Sequence, residues 1–221
     1  AATLSEDVDP VSLQKAVDNL KPRFPSVYVR LGSGVFWYFL EEVRDAPKVR
    51  QDYAWPLTHM GARELRSCCF RVLYYRRRIA VEFFHALTDG SGGMIFLKTL
   101  TAEYLRIRYG IDIPASDGVL DINEPPRDSE LEDSFQRFSG KHSMSRAESN
   151  SWRLSGTREP NGRLHLTIGT VDTGRLLHIS HEFGGTVTAF ISAVMAEAII
   201  SMQNEKVPPS KRKPVKITIP V

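Results

Sequence analysis

His85 stands four residues ahead of Asp89, which is followed directly by Gly90. An imidazole can act as a general base near neutral pH and take a proton from an alcohol or thiol, a contribution of ~10²–10⁴ in rate. That role needs a fixed tautomer and a fixed ring direction. An aspartate four residues on is placed to tie down the turn, by accepting backbone hydrogen bonds or by pairing with an arginine. Gly90 permits a backbone conformation that residues with a Cβ avoid, while Gly92 and Gly93 allow another backbone or a ligand to come close. The same spacing also fits a plainer arrangement, in which a histidine ends a strand and hydrogen-bonds in the core while Asp-Gly makes an ordinary turn.

The other histidines are His59, His142, His165, His178 and His181. His178 and His181 are three apart on a predicted helix and could share a face toward a metal, but no third ligand accompanies them. No metal is expected. Ser91 follows Gly90 without the Gly-x-Ser-x-Gly elbow of a serine hydrolase. The run Gly90-Ser-Gly-Gly93 lacks the Gly-Lys-Ser/Thr ending of a phosphate loop. Trp37 and Tyr38 read as core residues of a strand, with an acceptor pocket as the alternative. Cys68 and Cys69 are neighbours, so on a strand they point to opposite faces and do not pair. This suits a reducing, cytoplasmic setting. Lys and Arg number 29 against 26 Asp and Glu, for a net charge of +3. The basic runs at 76–78 and 211–213 are short and read as solvated loops, so no nucleic-acid partner is expected. No signal peptide is recognisable and no apolar run is expected to span a membrane.

The elements that would position His85 follow from periodicity. Residues 5–20 read as a helix, with Asp9 as cap, Pro10 in the first turn and an apolar stripe of Leu13, Ala16, Val17 and Leu20. A hairpin is expected from residues 28–31 and 36–40 around Gly32-Ser-Gly34, and a second from residues 68–75 and 78–84. The apolar run ending in Phe84 delivers the chain to His85. Residues 91–109 then read as an amphipathic helix stopped by Gly110. Residues 114–150 are rich in Ser, Asp, Glu and Pro and read as an exposed connector. Beyond it, Asn161-Gly162 signals a hairpin between residues 151–155 and 163–170. Helices are expected at 173–183 and from Thr186 or Thr188 to about 203, separated by Gly184-Gly185. A strand is expected at 213–221, and the terminal strands at 1–4 and 213–221 look interrupted, as in a fragment of a longer protein.

With these residues in view, the chain resembles the acyl-CoA-dependent acyltransferase superfamily. That superfamily includes chloramphenicol acetyltransferase, peptide-synthetase condensation domains and the alcohol acetyltransferases, and this chain is most similar to the last branch. The resemblance rests on His85, Asp89 and Gly90 after a strand. It extends to Leu4-Ser-Glu-Asp-Val-Asp-Pro10, Arg23-Phe-Pro25, Phe36-Trp-Tyr38, Arg78 to His85, Gly185-Thr-Val-Thr188 and Ile217-Thr-Ile-Pro-Val221. It implies an α/β fold, a chloramphenicol acetyltransferase-like two-layer sandwich with a mixed, largely antiparallel sheet and flanking helices. Residues 1–120 would form a first half, 121–150 a connector and 151–221 the start of an incomplete second half, with the catalytic tunnel between the halves. The implied activity is acyl transfer from acyl-CoA, as co-substrate, to a small hydroxylated acceptor. His85 would be the base and Asp89 structural, paired with an arginine, with no covalently bound cofactor and no acyl-enzyme. Two features depart from the family pattern. Phe84 stands where many relatives have a second histidine, and the Asn-Leu-Arg that follows Pro-Val in relatives would lie beyond Val221. On that reading the piece alone is expected to be inactive. A non-catalytic relative that binds a small molecule or a carrier protein, and a condensation-type domain acting on carrier-bound thioesters, are the alternatives.

Overall fold

The computed structural model describes residues 1–52, 58–132, 150–157, 159–160 and 165–219. They fall into two compact units, Ala1–Gly140 and Lys141–Val221. His142 and the Asn161-Gly162 turn lie outside the described residues.

The first unit is a mixed α/β structure. Its four-stranded sheet has the order β1-β6-β5-β4, built from β1 (Ala2–Thr3), β4 (Arg50–Gln51), β5 (Phe70–Tyr75) and β6 (Arg78–Phe83). The β5–β6 hairpin is antiparallel, with Phe70 opposite Phe83 and Val72 opposite Val81, and β1 pairs antiparallel with β6. The pairing of β4 with β5 is parallel, which makes the sheet mixed. Arg76, at φ 48°, takes the left-handed turn of the hairpin. A separate two-stranded ribbon joins β2 (Val29–Ser33) to β3 (Tyr38–Glu42), closed by Gly34 N–H donating to Trp37 O at 2.7 Å.

Two helices, α1 (Pro10–Leu20) and α3 (Gly90–Tyr109), share one core with this sheet. The stripe of Leu13, Ala16, Val17 and Leu20 is fully buried, as its spacing dictates. Asp9 accepts the Ser12 N–H at 2.8 Å as N-cap, and its own N–H donates to the Tyr104 hydroxyl at 3.0 Å, locking the start of α1 to α3. The helix begins at Pro10 rather than at residue 5, because the preceding backbone is engaged elsewhere. Leu4 and Val8 N–H donate to the carbonyls of Arg77 and Arg76 in the hairpin turn. Gly110, at φ 66°, ends α3 in the left-handed conformation. Phe24, Tyr28, Phe70, Phe83 and Phe96 form the aromatic centre of the core, with Phe96 edge-on to Phe24, Phe70 and Phe83 at 5.0–5.5 Å.

The stretch 114–132, expected to be exposed connector, is held against this unit. Leu120 N–H donates to Thr99 Oγ1 at 3.0 Å, Lys98 Nζ donates to Asp117 O at 2.7 Å, and Leu120 and Ile122 pack on the core. The short helix α4 (Asp128–Leu131) brings Glu130 to Arg23 at 2.6 Å. Polar composition concealed these few long-range anchors.

In the second unit, α5 (Thr173–Glu182) is capped by Asp172 and α6 (Val187–Lys206) by Thr186, and Gly184, at φ 70°, breaks the chain between them. The described residues of the expected strands at 151–155, 163–170 and 213–221 form no ladder. Trp152 N–H donates to Pro214 O at 3.0 Å, and the Lys213 backbone pairs with the Gln203 side chain. By length and composition alone α6 meets the requirement for a membrane span, although no such run was expected from the sequence. A core helix of a soluble protein meets the same requirement.

Candidate active site

His85 lies two residues beyond the end of β6, and its position is fixed by Phe83, the last residue of the strand, and by Phe84. Phe83 belongs to the aromatic core, stacked on Phe70 at 6.1 Å and edge-on to Phe96 at 5.5 Å. Phe84 packs into a second apolar cluster with Val29, Leu65, Cys69 and Met60. The alternation of a strand sends neighbouring side chains to opposite faces, so the backbone just before His85 is gripped from both sides. Phe84 N–H donates to Cys69 O at 2.8 Å, and Leu87 N–H donates to Phe84 O at 2.9 Å, which starts the turn.

Within that turn His85 Nδ1 lies 3.1 Å from the Thr88 carbonyl oxygen. A carbonyl oxygen only accepts, so the contact requires Nδ1 to carry the proton and leaves the Nε2 lone pair bare. The ring is exposed and opens into a cleft of about 670 Å³, lined among others by Met60, Phe83, Phe84, Asp89, Gly93 and Met94. That volume falls within the range of small-molecule sites, roughly 300–1,000 Å³. The walls are mostly apolar and the polar groups few.

Asp89 is the N-cap of α3, with its Oδ1 accepting the Gly92 N–H at 2.8 Å. Of the two roles open from the sequence, the structure shows the backbone one; among the described residues no arginine is paired with it. Gly90 departs from expectation. Its φ is not positive, and a Cβ built there meets nothing within 4 Å. The steric demand sits at Gly92 instead, where a Cβ would lie 2.1 Å from Thr88 Oγ1, and more mildly at Gly93, 3.4 Å from the Phe83 ring. Trp37 and Tyr38 are neither core nor cleft. They are 63% and 74% exposed at the turn end of the β2–β3 ribbon, whose other end packs Val29 against Leu65 and Cys69.

Sequence reasoning missed the support of the far wall. Arg71, on β5 and 7% exposed, donates through Nε to Glu82 at 2.6 Å and also contacts it through Nη2. The same guanidinium reaches Glu64 of the short helix α2 (Ala62–Leu65) at 3.2 Å, and the carbonyl and hydroxyl of Thr58 at 2.6 and 2.8 Å. Thr58, His59, Glu82 and Leu65 all line the cleft, so one buried cation fixes that wall. Burial alone would raise the Glu64 carboxyl, but hydrogen bonding to Arg50 and the charge of Arg71 outweigh it and hold the group below the usual carboxylate range. No sequence signal joined Arg71 to these partners, since they come from separate elements.

Cys68, Cys69, His165 and His178 are not among the residues that line the cleft. Cys68 and Cys69 are buried, unpaired thiols, and burial pushes both up. On α5, His178 Nε2 lies 3.3 Å from Glu182 Oε1. His165 Nδ1 is 3.9 Å from Glu159.

No family model and no curated protein matches this chain. Among solved structures it is similar to the SgcC5 protein from Streptomyces globisporus, crystallised with a naphthyl ethanediol and sucrose. The TM-score is 0.38 and the identity 14%, over 49% of this chain and 29% of that one.

Proposed function

We propose that this protein is an acyl-CoA-dependent O-acyltransferase with His85 as general base, built on a chloramphenicol acetyltransferase-like fold. The observation that carries the proposal is the Nδ1 contact to the Thr88 carbonyl, at 3.1 Å, on a ring that opens into an apolar cleft. The sequence resemblance supplies the reaction class. Nε2 takes the proton from the acceptor hydroxyl as its oxygen attacks the thioester carbonyl carbon. The tetrahedral intermediate collapses by breaking the C–S bond, and the departing thiolate takes the proton back from Nε2. The histidine ends the cycle neutral, with no covalent intermediate and no metal. Asp89 acts through the backbone, holding the start of α3 and with it the turn that orients the ring. Phe84 fits this scheme, because it anchors the base by packing and takes no part in proton transfer.

The test is release of free thiol from acetyl-CoA in the presence of a panel of small alcohols, measured on the full chain of the protein. Thiol release that depends on the alcohol is expected, and His85→Ala should lower kcat roughly 10²–10⁴-fold. Equal kcat in the two proteins would remove His85 from the chemistry.

A further inference from the structure

The second unit contains a pocket of its own, about 760 Å³ in volume. Among the described residues Arg153, Lys211, Lys213 and Lys216 line it beside Trp152, with no acidic side chain. Its walls are tied down. Gln203, 3% exposed, brackets the Lys213 backbone, accepting its N–H at 2.7 Å and donating to its carbonyl at 2.9 Å. Trp152 N–H donates to Pro214 O at 3.0 Å, which fixes the indole-bearing segment beside the basic one. Arg212, the remaining cation of that run, is engaged elsewhere, donating to Val207 O at 3.1 Å and Asn204 O at 3.3 Å at the end of α6.

Like charges gathered round a concavity repel one another and raise a positive potential that concentrates anions. Arg153, Lys211 and Lys213 suit a ligand with several negative charges, and lysine ammonium and arginine guanidinium groups are both phosphate binders. The indole adds a flat face on which a heterocyclic base can stack. We propose that this pocket binds a nucleoside polyphosphate, its phosphates among Arg153, Lys211 and Lys213 and its base on Trp152. A pocket of about 760 Å³ suits one nucleotide rather than a strand. Free nucleotides and the adenosine diphosphate portion of coenzyme A share this chemistry. The pocket has no residue in common with the His85 cleft, so the proposal stands whatever His85 does.

Isothermal titration calorimetry on the full chain tests it, with ADP, coenzyme A, inorganic pyrophosphate and a short single-stranded oligonucleotide as probes. ADP and coenzyme A are expected to bind saturably, and the tighter of the two identifies the source of the ligand. Pyrophosphate, which lacks a base to stack, should bind roughly tenfold more weakly. The double variant Lys211→Gln/Lys213→Gln should weaken ADP binding by roughly tenfold or more, and Trp152→Ala should weaken it further than Trp152→Phe. Lys213 is held through its backbone, so the variant keeps that anchor, and circular dichroism checks the fold. Four results would each overturn the proposal: no saturable binding of ADP or coenzyme A at millimolar concentration, equal affinity for pyrophosphate, unchanged affinity in the double variant, or tighter binding of the oligonucleotide than of ADP.

Discussion

Gly90 and Gly92 sit two residues apart in the turn that carries His85 and meet opposite surroundings. Gly90 has open space where a Cβ would go, whereas a Cβ on Gly92 would stand 2.1 Å from Thr88 Oγ1. Thr88 is the residue whose carbonyl holds His85, so displacing it disturbs the imidazole directly. Gly92→Ala is therefore expected to destabilise the fold by about 1–3 kcal/mol, the usual range for overpacking, and to lower activity. Gly90→Ala should be neutral or stabilising by up to about 1 kcal/mol, because it restricts only the unfolded chain. Chemical denaturation of the two variants separates them, and equal losses would contradict the account of the turn. The sequence made the histidine, the aspartate and the close approach at Gly92 and Gly93 legible, whereas the special backbone conformation expected of Gly90 is absent. Asp-Gly is a familiar turn pair, whereas the contact between Thr88 and Gly92 exists only once α3 has started.

The elements were read most reliably where their signals are local. Asp9-Pro10, Thr186, Gly110 and Gly184 act on neighbouring backbone, and each marks the helix end it should. The β5–β6 hairpin was legible from its alternation. Arg71 was not, because its partners Thr58, Glu64 and Glu82 meet only when β5, β6 and α2 assemble. Removing one partner from such a buried group leaves unpaired charges behind. Arg71→Met is expected to cost about 3 kcal/mol in a denaturant melt, since it removes the buried guanidinium that Glu64, Glu82 and Thr58 share. A loss below about 1 kcal/mol would mean that water replaces the guanidinium and that the wall does not depend on it. Trp37 and Tyr38 were misread for the opposite reason. Aromatic residues on a strand predict burial only if a second layer covers that face, and alternation carries no information about layers.

At the scale of the molecule, composition set the stretch after residue 114 apart, but the Arg23–Glu130 pair returns part of it to the first unit. Arg23 is 5% exposed. Its hydrogen bond pulls the Glu130 carboxyl from an ordinary 4.5 down to about 2. A carboxyl that binds its proton more weakly when folded stabilises the fold above its unfolded pKa and loses that contribution as pH falls through the folded one. Stability from this pair should be complete above pH 4.5 and disappear toward pH 2. Glu130→Gln should flatten the decline of Tm over that interval, and an unchanged slope would show the pair to be absent in solution. The functional reading, too, depends on a packed chain holding one ring in one tautomer. Nitrogen-15 NMR of the His85 imidazole, recorded above the pH at which the ring is protonated, tests this most directly. The account predicts a protonated Nδ1 and a bare Nε2, with His85 Nδ1–H hydrogen-bonded to the Thr88 carbonyl. A protonated Nε2 with a bare Nδ1 would contradict it, because the nitrogen facing the cleft would then have no lone pair with which to take a proton.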